Sequence, residues 1–343
     1  MLMNALKEAI LVSLKESPKS IWELLDLLQP TLRDFIPTLN SLYKNGWIKT
    51  DGKKLYLTKK AEKKIDKKVT SFKAPICNRC KGRRITLTKE LRKILKEYKK
   101  IVKERPQPTL QFFQGYMKEI DVIARVALMH HYNDVADKKI VLIGDDDLLS
   151  VALALTSLPS KIVVLDIDER LINFLEKVRK KYKLEISSVN YNVADPLPKK
   201  LFRKFDTFSS EPLESLSGMK AFLSRGVACL KKDGVGYFGL TSIESSLRKW
   251  LEIEKAITRM NCVITEIIKD FSAYPMIYET INYETFVKRF NFKVSPNPGI
   301  NWYKSSLFRI KALGEPKPLV PREKKLAIEF IDKEEDLTHP NLA

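Results

Sequence analysis

Apolar residues first recur at helical spacing: Leu6, Ile10, Leu11 and Leu14 line one face of a helix over residues 4–15. Ser20 and Glu23 have the spacing of a capping box, which predicts a second helix over IWELLDLLQ, and a third is expected from Thr31 to Tyr43. The period then changes. WIKT and KKLYLT flank Asp51-Gly52, the pair that a tight β-hairpin requires. Three helices and a hairpin predict a winged helix over residues 1–70, with a Lys-rich helix in KKAEKKIDKK extending its basic face. Residues 71–108 read as a basic connector holding one helix, LTKELRKILKEYKKIVKE, stopped by Arg105-Pro106-Gln107-Pro108.

Beyond that stop, short apolar runs alternate with amphipathic ones. Ile140–Ile143 is a strand, LLSVALALTSL a helix, KIVVLDID a strand and ERLINFLEKVRKKY a helix. ISSVNYNV, FDTFSS and GVGYFGLT continue as strands, with SGMKAFLSRGVACL the helix before the last of them. SLRKWLEIEKAI, VITEIIKDF and SLFRIKAL then predict a helix and a terminal antiparallel pair. This alternation specifies an α/β fold, a doubly wound Rossmann-type sheet of the class I methyltransferase kind, over residues 109–315. Residues 316–343 are expected to be a charged tail.

Among 343 residues, 62 Lys and Arg stand against 42 Asp and Glu, a net charge of +20. Residues 1–105 hold 27 of the basic and 11 of the acidic residues, so the excess belongs to the N-terminal third. Such asymmetry points to a polyanionic partner or to the Lys-rich surface of a thermophile. Four cysteines form no disulfide framework and fit a reducing compartment. Cys77 and Cys80 form a CxxC, but no second pair has the spacing of a tetrahedral site, so no metal is expected. The longest apolar run, Leu148 to Leu158, is too short for a membrane span and contains Ser150, Thr156 and Ser157. The N-terminal segment, with Lys7, Glu8, Lys15 and Glu16, is amphipathic and unlike a signal peptide, so a cytoplasmic protein is expected.

Ligands of an open α/β sheet bind beyond the carboxyl ends of its strands. Those ends are Gly144-Asp145-Asp146-Asp147, Asp166-Ile167-Asp168, Asp195-Pro196-Leu197-Pro198 and Ser209-Ser210-Glu211-Pro212-Leu213-Glu214. All four are acidic, in a strongly basic chain. Helix capping needs one carboxylate per helix and accounts for part of the set. The first turn departs from the glycine-rich turn that admits a pyrophosphate or the carboxylate of S-adenosylmethionine. Aspartates at ~4 Å would repel such an anion by about 4 kcal/mol each, taking ε of about 20. They would welcome a cation. Asp166 and Asp168 stand where a ribose is held, and Asp195 where an adenine amino group is read. The residues alone therefore describe an adenosyl-sulfonium transferase with a cationic substrate.

LIGDDDL, VVLDIDE, VADPLP and SSEPLES, preceded by ARVALMHHYND, closely resemble the branched-chain polyamine synthases of thermophilic archaea and bacteria. The chain is similar, more remotely, to spermidine synthases. The resemblance implies successive aminopropyl transfers from decarboxylated S-adenosylmethionine, a co-substrate and not a resident cofactor, to the N4 amine of spermidine. N4-aminopropylspermidine would be the intermediate and methylthioadenosine the leaving group. It implies catalytic roles for Asp146, Asp147 and Glu211, with Asp147 matching the aspartate that binds the aminopropyl amine. Gly144, Asp145, Asp147, Asp166, Asp168 and Asp195 would hold the adenosyl group, and Asp146, Glu211 and Glu214 the polyamine. A homodimer or larger assembly is expected, with no nucleic-acid or membrane partner. Two rival readings are an RNA or DNA methyltransferase, which would show an Asp-Pro-Pro-aromatic type of motif in place of Ser-Glu-Pro-Leu, and a polyamine-sensing regulator that lost turnover.

Overall fold

The computed structural model describes residues 5–65, 77, 80 and 82–340. The chain opens with helices α1 (Ala5–Glu16), α2 (Ile21–Leu28) and α3 (Leu32–Lys44), the antiparallel hairpin β1 (Ile48–Thr50) and β2 (Leu55–Leu57), and a single turn α4 (Lys59–Glu62). The capping box at α2 forms in full: Ser20 Oγ accepts from the Glu23 amide at 3.2 Å, and the Glu23 carboxylate accepts from the Ser20 amide at 2.6 Å. The expected Lys-rich helix is helical over Lys59–Glu62, and its last residues, 66–68, lie outside the described part.

Next come α5 (Lys89–Val102) and α6 (Glu119–His131), then β3 (Lys139–Ile143), α7 (Leu149–Ala154), β4 (Lys161–Asp166), α8 (Glu169–Tyr182) and β5 (Ile186–Asn190). They are followed by β6 (Phe205–Ser210), α9 (Leu216–Cys229), β7 (Leu230–Thr241), α10 (Leu247–Arg259), β8 (Cys262–Tyr274) and β9 (Tyr303–Ala312). Seven strands form one sheet in the order β5-β4-β3-β6-β7-β9-β8. β3 pairs parallel with both β4 and β6, and β9 runs antiparallel between β7 and β8. The strand order reverses at β3 and β6, so their carboxyl ends open a crevice. The central strands are buried on both faces, as parallel strands must be. Ile140, Leu142, Ile162 and Val164 enter one apolar layer, while Val141, Ile143, Val163 and Leu165 enter the other. Gly226 and Gly236 flank Phe208 so closely that a Cβ on either would lie under 3 Å from its ring.

Two segments differ from the expectation. Part of the presumed connector is core: Tyr98 of α5 is fully buried, and its hydroxyl donates to the carbonyl of Asp147. The expected tail folds back across the carboxyl edge of the sheet. Leu326 donates its amide to Ala194 and Leu197 donates to Arg322, while the buried Arg225 guanidinium donates to the carbonyls of Val193, Arg322 and Lys324. Farther on, the buried Lys249 ammonium pairs with Asp332 at 3.3 Å and with Glu335 at 3.2 Å. No helix among the described residues is long and apolar enough to cross a membrane, and no group of metal-ligating side chains occurs among them.

Candidate functional site

Gly144 follows β3 with φ of +75°, a left-handed conformation that glycine adopts without strain, and turns the next three residues across the sheet edge. The three aspartates then diverge. Asp145 accepts from the Ser150 amide at 3.2 Å and from the Ser150 hydroxyl, so its carboxylate caps the start of α7. Asp147 is buried, and accepts from the Met117 amide. Asp146 alone projects into both larger cavities of the crevice. Burial, reinforced by neighbouring carboxylates, pushes Asp145 and Asp146 well above the usual carboxylate range and Asp147 up to about 7.

One cavity, of about 330 Å3, lies over the ends of β3, β4 and β5. Asp166 lines it, its oxygens accepting from the amides of Asp145 and Asp168 at 2.9 and 2.8 Å. Tyr191, Asn192, Val193 and Ala194 form one wall, and Phe222, Ile143 and Phe113 supply apolar surface. Asp168 and Asp195 are not among its lining residues. Asp168 caps α8 and is held by Arg170 at 2.6 Å and Gln114 at 2.9 Å. Burial would raise its pKa, but those hydrogen bonds outweigh it and leave the group below its ordinary value. Asp195 faces Lys325 at 3.8 Å with half its side chain exposed. The wall that sequence reading assigned to Asp195 is thus formed by the three residues before it and by Tyr191.

The second cavity, of about 150 Å3, carries five carboxylates: Asp146, Glu211, Glu214, Glu244 and Asp336. Glu211 pairs with the Arg125 guanidinium and accepts from the Tyr274 hydroxyl. The close approach of β7 depends on Gly239, since a Cβ there would stand 2.5 Å from Glu211 Oε2. Glu214 accepts from the Thr241 amide at 3.1 Å and the Ser245 hydroxyl at 3.1 Å, and burial raises it to about 8. Asp336 is likewise raised by burial, to about 7. Glu244 accepts from the Tyr303 hydroxyl at 2.7 Å and from the Thr338 amide at 3.0 Å. Tyr274, Tyr283, Tyr303 and Met276 fill the space between these charges.

Asp146, Glu211, Phe113 and Phe330 line both cavities, so the two spaces meet there. The rings of Phe113 and Phe330 stack nearly parallel, 6.1 Å apart. Sequence reading missed Arg125, Glu244, Tyr303, Phe330 and Asp336. Arg125 alone had a visible signal, a charge within the apolar run VIARVALM.

The description "branched-chain polyamine synthase A C-terminal domain" belongs to a family whose pattern matches residues 93–338. The chain is 37% identical over 300 residues to the N(4)-bis(aminopropyl)spermidine synthase of Thermococcus kodakarensis, covering 85% of this chain and 84% of that one. It is 31% identical over 302 residues to the protein of the same name from Thermus thermophilus, covering 86% and 83%. Its fold matches the crystal structure of the Thermus thermophilus branched-chain polyamine synthase in complex with N4-aminopropylspermidine and 5'-methylthioadenosine. That match has a TM-score of 0.83 and 28% identity, and covers 97% of this chain and 94% of the other.

Proposed function

The chain belongs to the branched-chain polyamine synthase family, and on that premise we propose how its two cavities divide the work of aminopropyl transfer. The enzyme moves aminopropyl groups onto the N4 amine of spermidine and then of N4-aminopropylspermidine, releasing methylthioadenosine. The larger cavity receives the adenosyl group of decarboxylated S-adenosylmethionine: Asp166 accepts from the ribose hydroxyls, and the wall from Tyr191 to Ala194 meets the adenine. The carboxylate-lined cavity receives the polyamine, whose ammonium groups pair with Glu214, Glu244 and Asp336. The observation that carries this reading is the junction, where Asp146 and Glu211 border both spaces.

In the first transfer N4 must shed a proton before its lone pair can attack the sulfonium methylene. The C–N bond then forms as the C–S bond breaks, and sulfur leaves as a neutral thioether. The first attack leaves N4 as a protonated tertiary amine, which must give up that proton before the second transfer; the second product is quaternary, so no proton leaves after that attack. Asp146 takes the proton, being the carboxylate at the junction that pairs with no cation among the described residues. Glu211, fixed by Arg125 and Tyr274, orients the amine. Asp145 and Asp147 support the turn from behind. The winged-helix reading of the N-terminal unit is supported by its three helices and hairpin.

A carboxylate on the sulfonium's propyl chain would meet Asp146 and Glu211. Decarboxylated S-adenosylmethionine should therefore bind about 100-fold more tightly than S-adenosylmethionine, about 2.7 kcal/mol of discrimination. Calorimetry giving equal affinities would remove the carboxylates from co-substrate selection.

Glu214 at about 8 and Asp336 at about 7 gain charge as pH rises from 6 to 8. The KM for spermidine should fall over that interval. Their raised values also mean that the folded chain holds protons the unfolded chain has released. Stability of the free enzyme should thus decline between about pH 4 and about pH 8, and spermidine should restore it. Melting curves across that range, with and without spermidine, check both signs. A free enzyme more stable at pH 8 than at pH 5 would contradict the assignment.

A further inference from the structure

The N-terminal unit turns its third helix and its hairpin inward. Asn40 of α3 donates to the Arg289 carbonyl at 3.1 Å and accepts from the Asn291 amide at 2.8 Å. At the hairpin tip, the Gly52 carbonyl accepts from the amide and the hydroxyl of Ser295, each at 2.7 Å. Trp22 of α2 packs against Phe286 and Trp302, with 6.0 Å between ring centroids in each pair.

What these contacts hold is the outer side of the carboxylate-lined cavity. Gln29 ends α2 in a left-handed conformation, and its buried amide donates to the Trp302 carbonyl at 2.7 Å and back to Leu25 at 2.9 Å. The next residue, Tyr303, presents its hydroxyl to Glu244 in the cavity. Lys304, the residue after that, pairs with Asp26 of α2 at 2.7 Å. Independently, the Leu32 amide at the start of α3 donates to the Ile243 carbonyl at 3.0 Å, immediately before Glu244. Both partners of the Tyr303–Glu244 hydrogen bond are thus anchored from behind by α2 and α3.

We infer that Gln29 is a positioning residue for polyamine binding: through the Trp302 carbonyl, the N-terminal unit fixes Tyr303 against Glu244 and so sets the shape of the polyamine wall. The inference rests on the assignment of that cavity to the polyamine. Removing the donor frees Tyr303 to shift, which weakens acceptor binding and leaves the adenosyl cavity, on the other side of the junction, intact.

The test measures spermidine KM and methylthioadenosine Kd for Gln29→Met, Tyr303→Phe and the double variant. Gln29→Met should raise the spermidine KM about tenfold with the methylthioadenosine Kd unchanged, since a buried hydrogen bond is worth roughly that factor. In the Tyr303→Phe background the same change should have little further effect, because the hydroxyl it positions is gone. An unchanged spermidine KM in Gln29→Met, an equal weakening of both ligands, or full additivity would each overturn the inference. If Tyr303→Phe alone leaves the spermidine KM unchanged, the cavity assignment falls and the inference with it. Should Gln29→Met fail to fold, Asp26→Asn, with a half-exposed side chain, poses the same question through Lys304. It should raise the spermidine KM selectively, and an unchanged value would overturn the inference.

Discussion

Asp146→Asn should lower kcat by about 1000-fold, within the range of roughly 100 to 10,000-fold that a positioned base contributes, while methylthioadenosine binds nearly as before. Asparagine keeps the size and one acceptor oxygen but cannot take a proton. The comparison with Asp147→Asn makes the prediction specific. Asp147 is buried and accepts from the Met117 amide, a hydrogen bond that an asparagine oxygen can preserve, and it borders neither of the two large cavities. Its substitution should therefore cost less turnover. A greater loss in Asp147→Asn than in Asp146→Asn, from single-turnover rates with saturating substrates, would return the catalytic role to the residue that the resemblance to spermidine synthases selects.

Arg125→Met should destabilise the enzyme by about 3 to 5 kcal/mol, because a buried carboxylate deprived of its cation retains its desolvation cost. The guanidinium is almost fully buried on α6 and pairs with Glu211. Methionine fills much of its volume without its charge. The double variant Arg125→Met/Glu211→Gln should recover most of that stability, as no unpaired charge remains, but not the activity. Glu211→Gln alone should lower kcat about 100-fold with adenosyl binding nearly unchanged. Denaturant unfolding of the three variants gives the coupling, and additive losses would show that the two residues do not form a pair that matters to the fold.

The core of the sheet was legible because β3 and β4 are short apolar runs ended by a turn, KIVLI and KIVVLD. The convergence of acidic strand ends was legible for the same reason, since topology alone brings them to one edge. Which carboxylate faces a ligand was not. Asp145, Asp146 and Asp147 are adjacent in sequence, yet a left-handed glycine and the start of α7 send one to a helix cap, one to the junction and one beneath the turn. Nor could sequence show that Asp168 is engaged by the capping of α8 and by Arg170, or that Asp195 faces Lys325. The C-terminal segment was illegible for a different cause. Residues 316–340 have neither helical nor strand periodicity, and their order comes from side chains far away in sequence, Arg225 and Lys249, which donate to their backbone or pair with their carboxylates. Phe330 and Asp336 could be recognised as cavity residues only once that path was known.

Substitution at carbon between an adenosyl sulfonium and a polyamine amine, brought together in one crevice, leaves a direct signature in the products. Mass analysis of the products formed from decarboxylated S-adenosylmethionine and spermidine tests it most directly, run beside S-adenosylmethionine with RNA. Spermidine carrying one and then two additional aminopropyl groups is expected, with one methylthioadenosine released for each, and no methylated RNA. Methylated RNA, or spermidine recovered unchanged with no methylthioadenosine formed, would contradict it.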